Sequence, residues 1–149
     1  MQFFDKMVSG FKHTWLVDKD SDRLKTIKKN FPNELTINKD VKEFSQCSNL
    51  RKIKKLKGSF DGLIFGFPCN DFSIVGKKRG FKGKFGGLYI YACKVLKFFK
   101  PKFFLAENVS NIATSNKKSL IYKNFQKILY DFKKLGYEIK IKKIKFEKL

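Results

Sequence analysis

Two apolar runs in this sequence end in side chains that can do covalent and acid–base chemistry. Residues 61–66 lead into Cys69, and residues 102–106 lead directly into Glu107. A thiolate can add to an electrophilic carbon while a neighbouring carboxylic acid protonates, or hydrogen-bonds to, a nearby nitrogen. The pair therefore indicates nucleophilic chemistry, provided that the fold brings the two groups together.

Parallel strands joined through a helix would bring them together. The carboxyl ends of both strands in a right-handed strand–helix–strand unit lie at the same edge of the sheet, where ligands of open α/β sheets bind. If the two strands are neighbours, Cys69 and Glu107 face one cleft. A buried cysteine is more often a small hydrophobic residue, and this alternative stays open for Cys69 on the pattern alone. We assign that structural role to Cys47 and Cys93.

The order of apolar patterns along the chain alternates between strands and helices. This order predicts an α/β fold with a mostly parallel sheet flanked by helices. The run at 61–66 is continuous, as in a strand buried on both faces. Strands are predicted at 13–17, 35–37, 61–66, 102–106 and 137–146. Helices are predicted at 3–8, 49–57, 87–99 and 117–135, and a further helix runs from the capping pair Asp20-Ser21 to Pro32. A long loop is predicted at 67–87.

Composition favours a polyanionic partner. The chain has 149 residues, about one domain, and its 34 Lys and Arg against 13 Asp and Glu give a net charge of +21. All but three of the basic residues are lysines, so a merely solvated lysine surface is an equally good interpretation. Three cysteines without a C-x-x-C pair and a single histidine predict no metal site. The odd cysteine count, with no signal peptide or membrane span, predicts a cytoplasmic protein.

At these residues the sequence resembles a known family. Residues 66–73, GFPCNDFS, resemble the nucleophile motif of the DNA (cytosine-5) methyltransferases, and residues 107–109, ENV, resemble their second catalytic motif. The order of the motifs and the glycine-rich loop between them also fit, and the likeness extends over nearly the whole chain. Asn70 stands where the family commonly has glutamine, and the loop reads GKFG at 83–86 where the family usually carries an acidic residue and an Arg-Gly step.

The resemblance implies a partial Rossmann-like, S-adenosylmethionine-dependent methyltransferase fold and a defined reaction on DNA in a restriction–modification system. The target cytosine is flipped out of the duplex. Cys69 is then expected to attack C6 and Glu107 to engage N3, after which C5 takes the methyl group and loses its proton. Asn108 is expected to support the loop that carries Cys69, and Pro68 to hold the backbone of that cysteine rigid.

The resemblance also implies a set of cofactor-binding residues for S-adenosylmethionine. Asp18 lies where the family binds the ribose, and Asp40 lies where an aspartate meets the adenine amino group. Lys19 occupies the position at which many members stack an aromatic ring on adenine, and a solvated lysine at a helix start is an equally good interpretation. Phe67 completes the expected set, and no metal is expected.

The resemblance predicts a single, truncated catalytic domain over residues 1–149. The family's first cofactor motif is expected before Met1, and its target recognition region after Leu149. On this basis we expect the chain alone to have little or no activity. Its expected partners are double-stranded DNA and a complementing methyltransferase fragment, with no membrane.

Two alternatives to a methyltransferase catalytic segment follow from the same residues. One is a non-catalytic, basic nucleic-acid-binding remnant, which would bind DNA without sequence preference and with a steep dependence on salt. The other is a thiol enzyme unrelated to DNA. Thiol hydrolases usually need a histidine base, and His13, the only histidine, lies at the start of an early predicted strand.

Overall fold

The structure, a computed structural model, divides the chain into two compact units. One unit spans Met1–Gly58 and the other Ser59–Leu149. In the described part of each unit, two parallel strands pair with one another and are accompanied by helices. That residues 1–149 form a single domain stays a prediction. The described residues are 12–67, 87–109, 112 and 116–144, so the helix predicted at 3–8 and nearly all of the loop predicted at 67–87 lie outside them.

The first unit is a strand–helix–strand unit followed by two helices. Strands β1 and β2 run parallel, with Trp15 opposite Leu35 and Asp18 opposite Asn38. This confirms both predicted strands to within two residues at each end. The elements are β1 (Trp15–Asp18), α1 (Ser21–Asn30), β2 (Leu35–Asn38), α2 (Val41–Phe44) and α3 (Cys47–Lys57).

Helix α1 begins where the capping residue Asp20 predicts. A side-chain oxygen of Asp20 accepts hydrogen bonds from the backbone N–H groups of Asp22 and Arg23, at 3.0 and 3.2 Å. These bonds satisfy donors that the first turn of a helix leaves unpaired, and they lower the pKa of Asp20. Leu24 is buried on the inner face, as its spacing indicates.

Helix α3 is buried over only part of its length. Three apolar residues recur at helical spacing: Leu50 and Ile53 are 2% and 7% exposed, but Leu56, one turn later, is 61% exposed. The apolar spacing therefore coincides with burial only as far as Ile53. The four-residue helix α2 was not predicted, since a single turn is too short to show a hydrophobic period.

The second unit repeats the parallel arrangement. Strands β3 and β4 pair in parallel, with Leu63 opposite Phe104 and Gly66 opposite Glu107. The two strands that carry the candidate chemistry are thus neighbours, which is the condition set above for a common cleft at their carboxyl ends. The elements are β3 (Gly62–Gly66), α4 (Tyr89–Phe99), β4 (Phe103–Glu107) and α5 (Leu120–Lys134).

Aromatic rings from α5 cover one face of the β3–β4 pair. The ring of Phe132 lies 4.8 Å from that of Phe104 and 6.1 Å from that of Phe65, between ring centroids. Side chains alternate between the two faces of a strand. The alternate residues therefore point away from this cluster, and Ile64 and Leu105 are 70% and 58% exposed. The prediction that this strand is buried on both faces is wrong, because α5 packs on one face only.

The final predicted strand is also wrong over the residues that the structure describes. Residues 137–144 form no strand. Tyr137 anchors the start of this segment, since its hydroxyl donates to the backbone oxygen of Pro101 at 2.8 Å and its ring meets that of Phe104 edge-on. Residues 140–144 are exposed. Alternation alone does not make a strand, because a strand also needs a neighbour for its backbone hydrogen bonds.

The start of α5 offers a test of local stability. The Ser119 hydroxyl accepts from the backbone N–H of Tyr122 at 3.2 Å. We expect Ser119→Ala to lower the free energy of unfolding by about 0.5–2 kcal/mol, measured by urea denaturation, because an N-terminal donor loses its partner. Ser119→Asp keeps an acceptor and should stay near the wild type. Equal stability of the Ser119→Ala and wild-type proteins would contradict this role of the hydroxyl.

Candidate functional site

The carboxyl ends of β3 and β4 lie side by side and carry two of the residues that the sequence predicts to be catalytic, Glu107 and Asn108. Gly66 and Glu107 lie directly opposite one another. The Glu107 carboxylate leans over β3, since its Oε2 is 3.5 Å from the place that a Cβ atom on Gly66 would occupy. Glu107 itself is exposed, so a substrate can reach its carboxylate at this edge.

Asn108 ties the two strand ends together. Its side-chain Nδ2 donates to the backbone oxygen of Phe67 at 2.8 Å, and its Oδ1 accepts from the backbone N–H of Val109 at 2.8 Å. Phe67 is the last residue of its segment that the structure describes, and Pro68 and Cys69 follow outside the described residues. The bond therefore fixes the main chain two residues before the predicted nucleophile.

The carboxyl ends of β1 and β2 carry the candidate cofactor-binding residues. Asp18 Oδ1 accepts from the backbone N–H of Asp20 at 2.9 Å, and Asp18 Oδ2 lies 3.7 Å from a guanidinium nitrogen of Arg23. The Asn38 side chain links the strands by donating to the backbone oxygens of Asp18 and Lys19, at 3.3 and 3.1 Å. The backbone at this edge is thus held in place next to a half-buried carboxylate.

Asp40 lies just beyond the end of the neighbouring strand β2. One of its oxygens accepts from the backbone N–H of Lys42 at 2.8 Å, which caps α2. A carboxylate offers about four acceptor positions on two oxygens, so both Asp18 and Asp40 keep capacity for a ligand. Two carboxylates at adjacent strand ends suit the hydroxyl and amino groups of a nucleoside. Lys19 is exposed, as a solvated lysine would be.

The two remaining cysteines differ in environment. Cys93, on α4, is half-buried, and burial followed by the nearby charge of Asp131 raises its pKa to about 12. It therefore stays a thiol at neutral pH and is a poor nucleophile. Cys47 is exposed at the start of α3, so the expectation of a buried structural role is wrong for this residue. Cys47 is the first residue of α3, and no described residue covers its side chain.

A polar pair that the sequence did not predict lies inside the second unit. The Tyr89 hydroxyl donates to Asp131 Oδ2 at 2.7 Å, and Lys127 Nζ lies 3.0 Å from the same oxygen. Burial and then the bond to Asp131 raise the pKa of Tyr89. Burial opposes ionisation of Asp131, but the bonds from Tyr89 and Lys127 outweigh it and lower the pKa of Asp131. In the sequence, the available signal for this pair was Asp131, the only acidic residue of the lysine-rich helix α5.

The lowered pKa of Asp131 predicts a pH-dependent contribution to stability. The charged form is favoured by folding, so the contribution is complete above the unfolded-state pKa of about 3.9 and is lost as the pH falls through the folded-state value. We expect Asp131→Asn to lower the free energy of unfolding by about 1–2 kcal/mol at neutral pH, with the difference vanishing in strong acid.

Asp61→Asn is the matched control for this measurement. It removes the same charge from the same unit, but from an exposed pair with Lys102, and should have little effect. Urea unfolding of the three proteins across the acid range gives the comparison. A constant difference between wild type and Asp131→Asn down to strong acid would contradict the titration of Asp131.

The described residues also limit the other kinds of site. Across residues 12–67, 87–109, 112 and 116–144, no group of three or more His, Cys, Asp and Glu side chains could hold a metal ion. In the same residues, no helix has the length and apolar content needed to cross a bilayer.

Comparison with known proteins identifies the class. The family model for C-5 cytosine-specific DNA methylase matches residues 3–148, and the chain belongs to this family. The Type II methyltransferase M.BbvI of Brevibacillus brevis is 35% identical over 147 residues, which are 94% of this chain and 37% of that protein. M.PspPI of Psychrobacter sp. (strain TA137), another Type II methyltransferase, is 35% identical over 136 residues, which are 91% of this chain and 30% of that protein.

A solved structure supports the same assignment. A crystal structure described as a DNA modification methyltransferase encoded within an E. coli prophage matches with a TM-score of 0.58 and 28% identity. The match covers 81% of this chain and 32% of the other. The predicted fold class, with parallel strands and flanking helices, is confirmed. The chain spans about a third of the length of the relatives described here.

Proposed function

We propose that this chain carries the methyl-transfer chemistry of a DNA cytosine-C5 methyltransferase of the Type II restriction–modification class. The observation that carries the proposal is the edge formed by β3 and β4. Gly66 lies opposite Glu107, and Asn108 holds the backbone of Phe67 at 2.8 Å. These contacts support a common site for Glu107 and for Cys69, which follows Phe67 by two residues.

In the proposed mechanism, Cys69 and Glu107 activate a flipped cytosine. The Cys69 thiolate forms a bond to C6. The electron pair of the C5–C6 double bond then forms a C4–C5 double bond, and the pair of the C4–N3 double bond moves onto N3. Glu107 holds a proton at N3, so that the ring does not accumulate negative charge. C5 thereby becomes nucleophilic. As C5 takes the methyl group, the C4–N3 double bond re-forms and the N3 proton returns to Glu107. A base then removes the proton from C5, the C6–S bond breaks, and the C5–C6 double bond and the thiolate are restored.

S-adenosylmethionine, when bound, supplies an electrophilic methyl group. Of the described residues, Asp18 and Asp40 fit such a ligand, because each keeps acceptor capacity at the end of a parallel strand. We assign the ribose hydroxyls to Asp18 and the adenine amino group to Asp40. Lys19 and Phe67 complete the proposed set, Lys19 by position next to Asp18 and Phe67 by position at the end of β3.

Double-stranded DNA is the proposed substrate, and the net charge of +21 favours binding to its phosphates. Because the chain spans about a third of the length of its relatives, we propose that further polypeptide, in a complementing fragment, supplies the reading of the DNA sequence. Base readout requires side chains placed in a groove of the duplex.

Transfer of a labelled methyl group to cytosine C5 in duplex DNA tests this function. The chain is assayed alone and together with a polypeptide that carries the remaining motifs of a relative such as M.BbvI. We expect little transfer by the chain alone and clear transfer by the combination. DNA binding that falls steeply with salt, without any methyl transfer in the combination, would favour the non-catalytic nucleic-acid-binding alternative and overturn the proposal.

A further inference from the structure

Tyr89 is a buried residue of the second unit that contacts both α5 and the residue after β3. Tyr89 is 1% exposed and begins helix α4. Its hydroxyl reaches across to Asp131 on α5 at 2.7 Å. Lys127, one turn earlier on α5, holds the same carboxylate with its Nζ 3.0 Å and 3.3 Å from the two oxygens. The hydrogen bond at the hydroxyl of Tyr89 therefore fixes the orientation of its ring.

The ring of Tyr89 in turn contacts Phe67, which lies in the nucleophile motif two residues before Cys69. The ring centroids of Tyr89 and Phe67 are 6.3 Å apart, and those of Tyr89 and Phe132 are 6.2 Å apart. The backbone oxygen of Phe67 accepts from Asn108 at 2.8 Å. Phe67 is thus held at its side chain by Tyr89 and at its backbone by the residue next to Glu107.

The Tyr89–Asp131 bond persists over the neutral pH range. Burial and the bond to Asp131 raise the pKa of Tyr89, so the phenol stays protonated and acts as the donor. Bonds from Tyr89 and Lys127 lower the pKa of Asp131 against the effect of burial, so the carboxylate stays charged and acts as the acceptor. Hydrogen bonds to an ionised acceptor are about twice as strong as neutral ones.

We infer that Tyr89 and Asp131 are positioning residues for methyl transfer. Their hydrogen bond sets the place of the Tyr89 ring, and this ring sets the place of Phe67, which precedes Cys69 by two residues in the sequence. The inference rests on the proposed function of Cys69 and Glu107. Neither Tyr89 nor Asp131 touches the substrate in this account, and both act through Phe67.

A merely structural bond between two helices is the competing explanation. Tyr89→Phe distinguishes a structural role from a positioning role, because it keeps the ring that packs on Phe67 and Phe132 and removes only the hydroxyl. A structural role predicts a lower melting temperature and an unchanged site in the folded protein. A positioning role predicts a change at Asn108, which the Tyr89 hydroxyl does not contact.

The first readout is the rate at which the Asn108 side-chain amide exchanges its hydrogens with water, measured by NMR on the full chain. The signal is assigned as the one that is missing from the spectrum of Asn108→Asp. We expect the Asn108 amide hydrogens to exchange with water about three- to tenfold faster in Tyr89→Phe than in wild type, as for the weakening of one hydrogen bond. Asp131→Asn should give a smaller increase, because an amide oxygen still accepts from Tyr89. Tyr130→Phe, which removes a hydroxyl from an exposed residue of α5, should give none.

The second readout is covalent capture of duplex DNA that contains 5-fluorocytosine, with the complementing polypeptide present. Tyr89→Phe should slow capture about three- to tenfold while the affinity for DNA stays the same. Unchanged Asn108 exchange, with or without a lower melting temperature, would overturn the inference. So would an unchanged capture rate. Absence of capture by the wild-type protein would count against the proposed function instead, while Asn108 exchange would still decide whether Tyr89 positions Phe67.

Discussion

Replacing Cys69 with serine is expected to lower the rate of methyl transfer by more than about a thousandfold, measured in the presence of the complementing polypeptide. A serine hydroxyl ionises far less readily than a thiol and is a weaker nucleophile toward C6. The described residues of the second unit include no histidine that could act as its base. Binding to duplex DNA should be unchanged, since the substitution alters no charge-bearing lysine.

Cys47→Ser is the matched control, because Cys47 is an exposed cysteine of the other unit. It should keep the wild-type rate. A Cys69→Ser protein within tenfold of the wild-type rate would exclude Cys69 as the covalent nucleophile. The exposed Cys47 and the half-buried Cys93 would then have to be tested in its place.

Replacing Glu107 with glutamine is expected to lower methyl transfer about a hundred- to ten-thousandfold. Glutamine has nearly the same shape and its amide can still donate to N3, but it cannot transfer a proton. The loss should appear in kcat, with little change in KM for DNA, because the proton is needed most in the transition state.

Glu138→Gln is the control for this substitution, since Glu138 is also exposed in the second unit but lies outside β3 and β4. It removes the same charge and should leave kcat unchanged. An equal fall in both variants would show that the effect arises from the net charge of the chain and not from Glu107. A rise in KM alone for Glu107→Gln would assign Glu107 to DNA binding.

The arrangement of the candidate catalytic edge could be predicted from the sequence because it follows from chain direction. Two apolar runs separated by a helix make a parallel pair, and the residues after both runs then meet at one edge. The structure places Gly66 opposite Glu107 in this way. The start of α1 was equally predictable, since Asp20 needs only its own neighbours to cap the helix.

The covering of the strands could not be predicted in the same way. Ile64 and Leu105 are as apolar as Leu63, yet Leu63 is buried and the other two are exposed. Which face of a strand is buried depends on helices distant in sequence, here α5 through Phe132. The segment after Gly136 could not be predicted for the same reason. Its alternating pattern becomes a strand only where a neighbouring strand pairs with it, and residues 137–144 form none.

The Tyr89–Asp131 bond joins residues 42 positions apart, and no local pattern marks it. A tyrosine on the apolar face of α4 is ordinary core material, and one acid among the lysines of α5 is an ordinary surface residue. Only the packing of the two helices turns them into a buried donor and a partly buried acceptor. The site therefore includes a contribution that motif comparison alone does not identify.

Covalent capture of 5-fluorocytosine DNA tests whether Cys69 is the nucleophile that adds to cytosine C6. Once Cys69 has added to C6 and C5 has been methylated, fluorine cannot leave C5 as a proton does, so the adduct persists. With S-adenosylmethionine and the complementing polypeptide present, we expect a denaturation-resistant adduct whose DNA is attached to the peptide that contains Cys69. We expect no adduct with Cys69→Ser. Attachment at Cys47 or Cys93, or equal capture by Cys69→Ser, would contradict this role of Cys69.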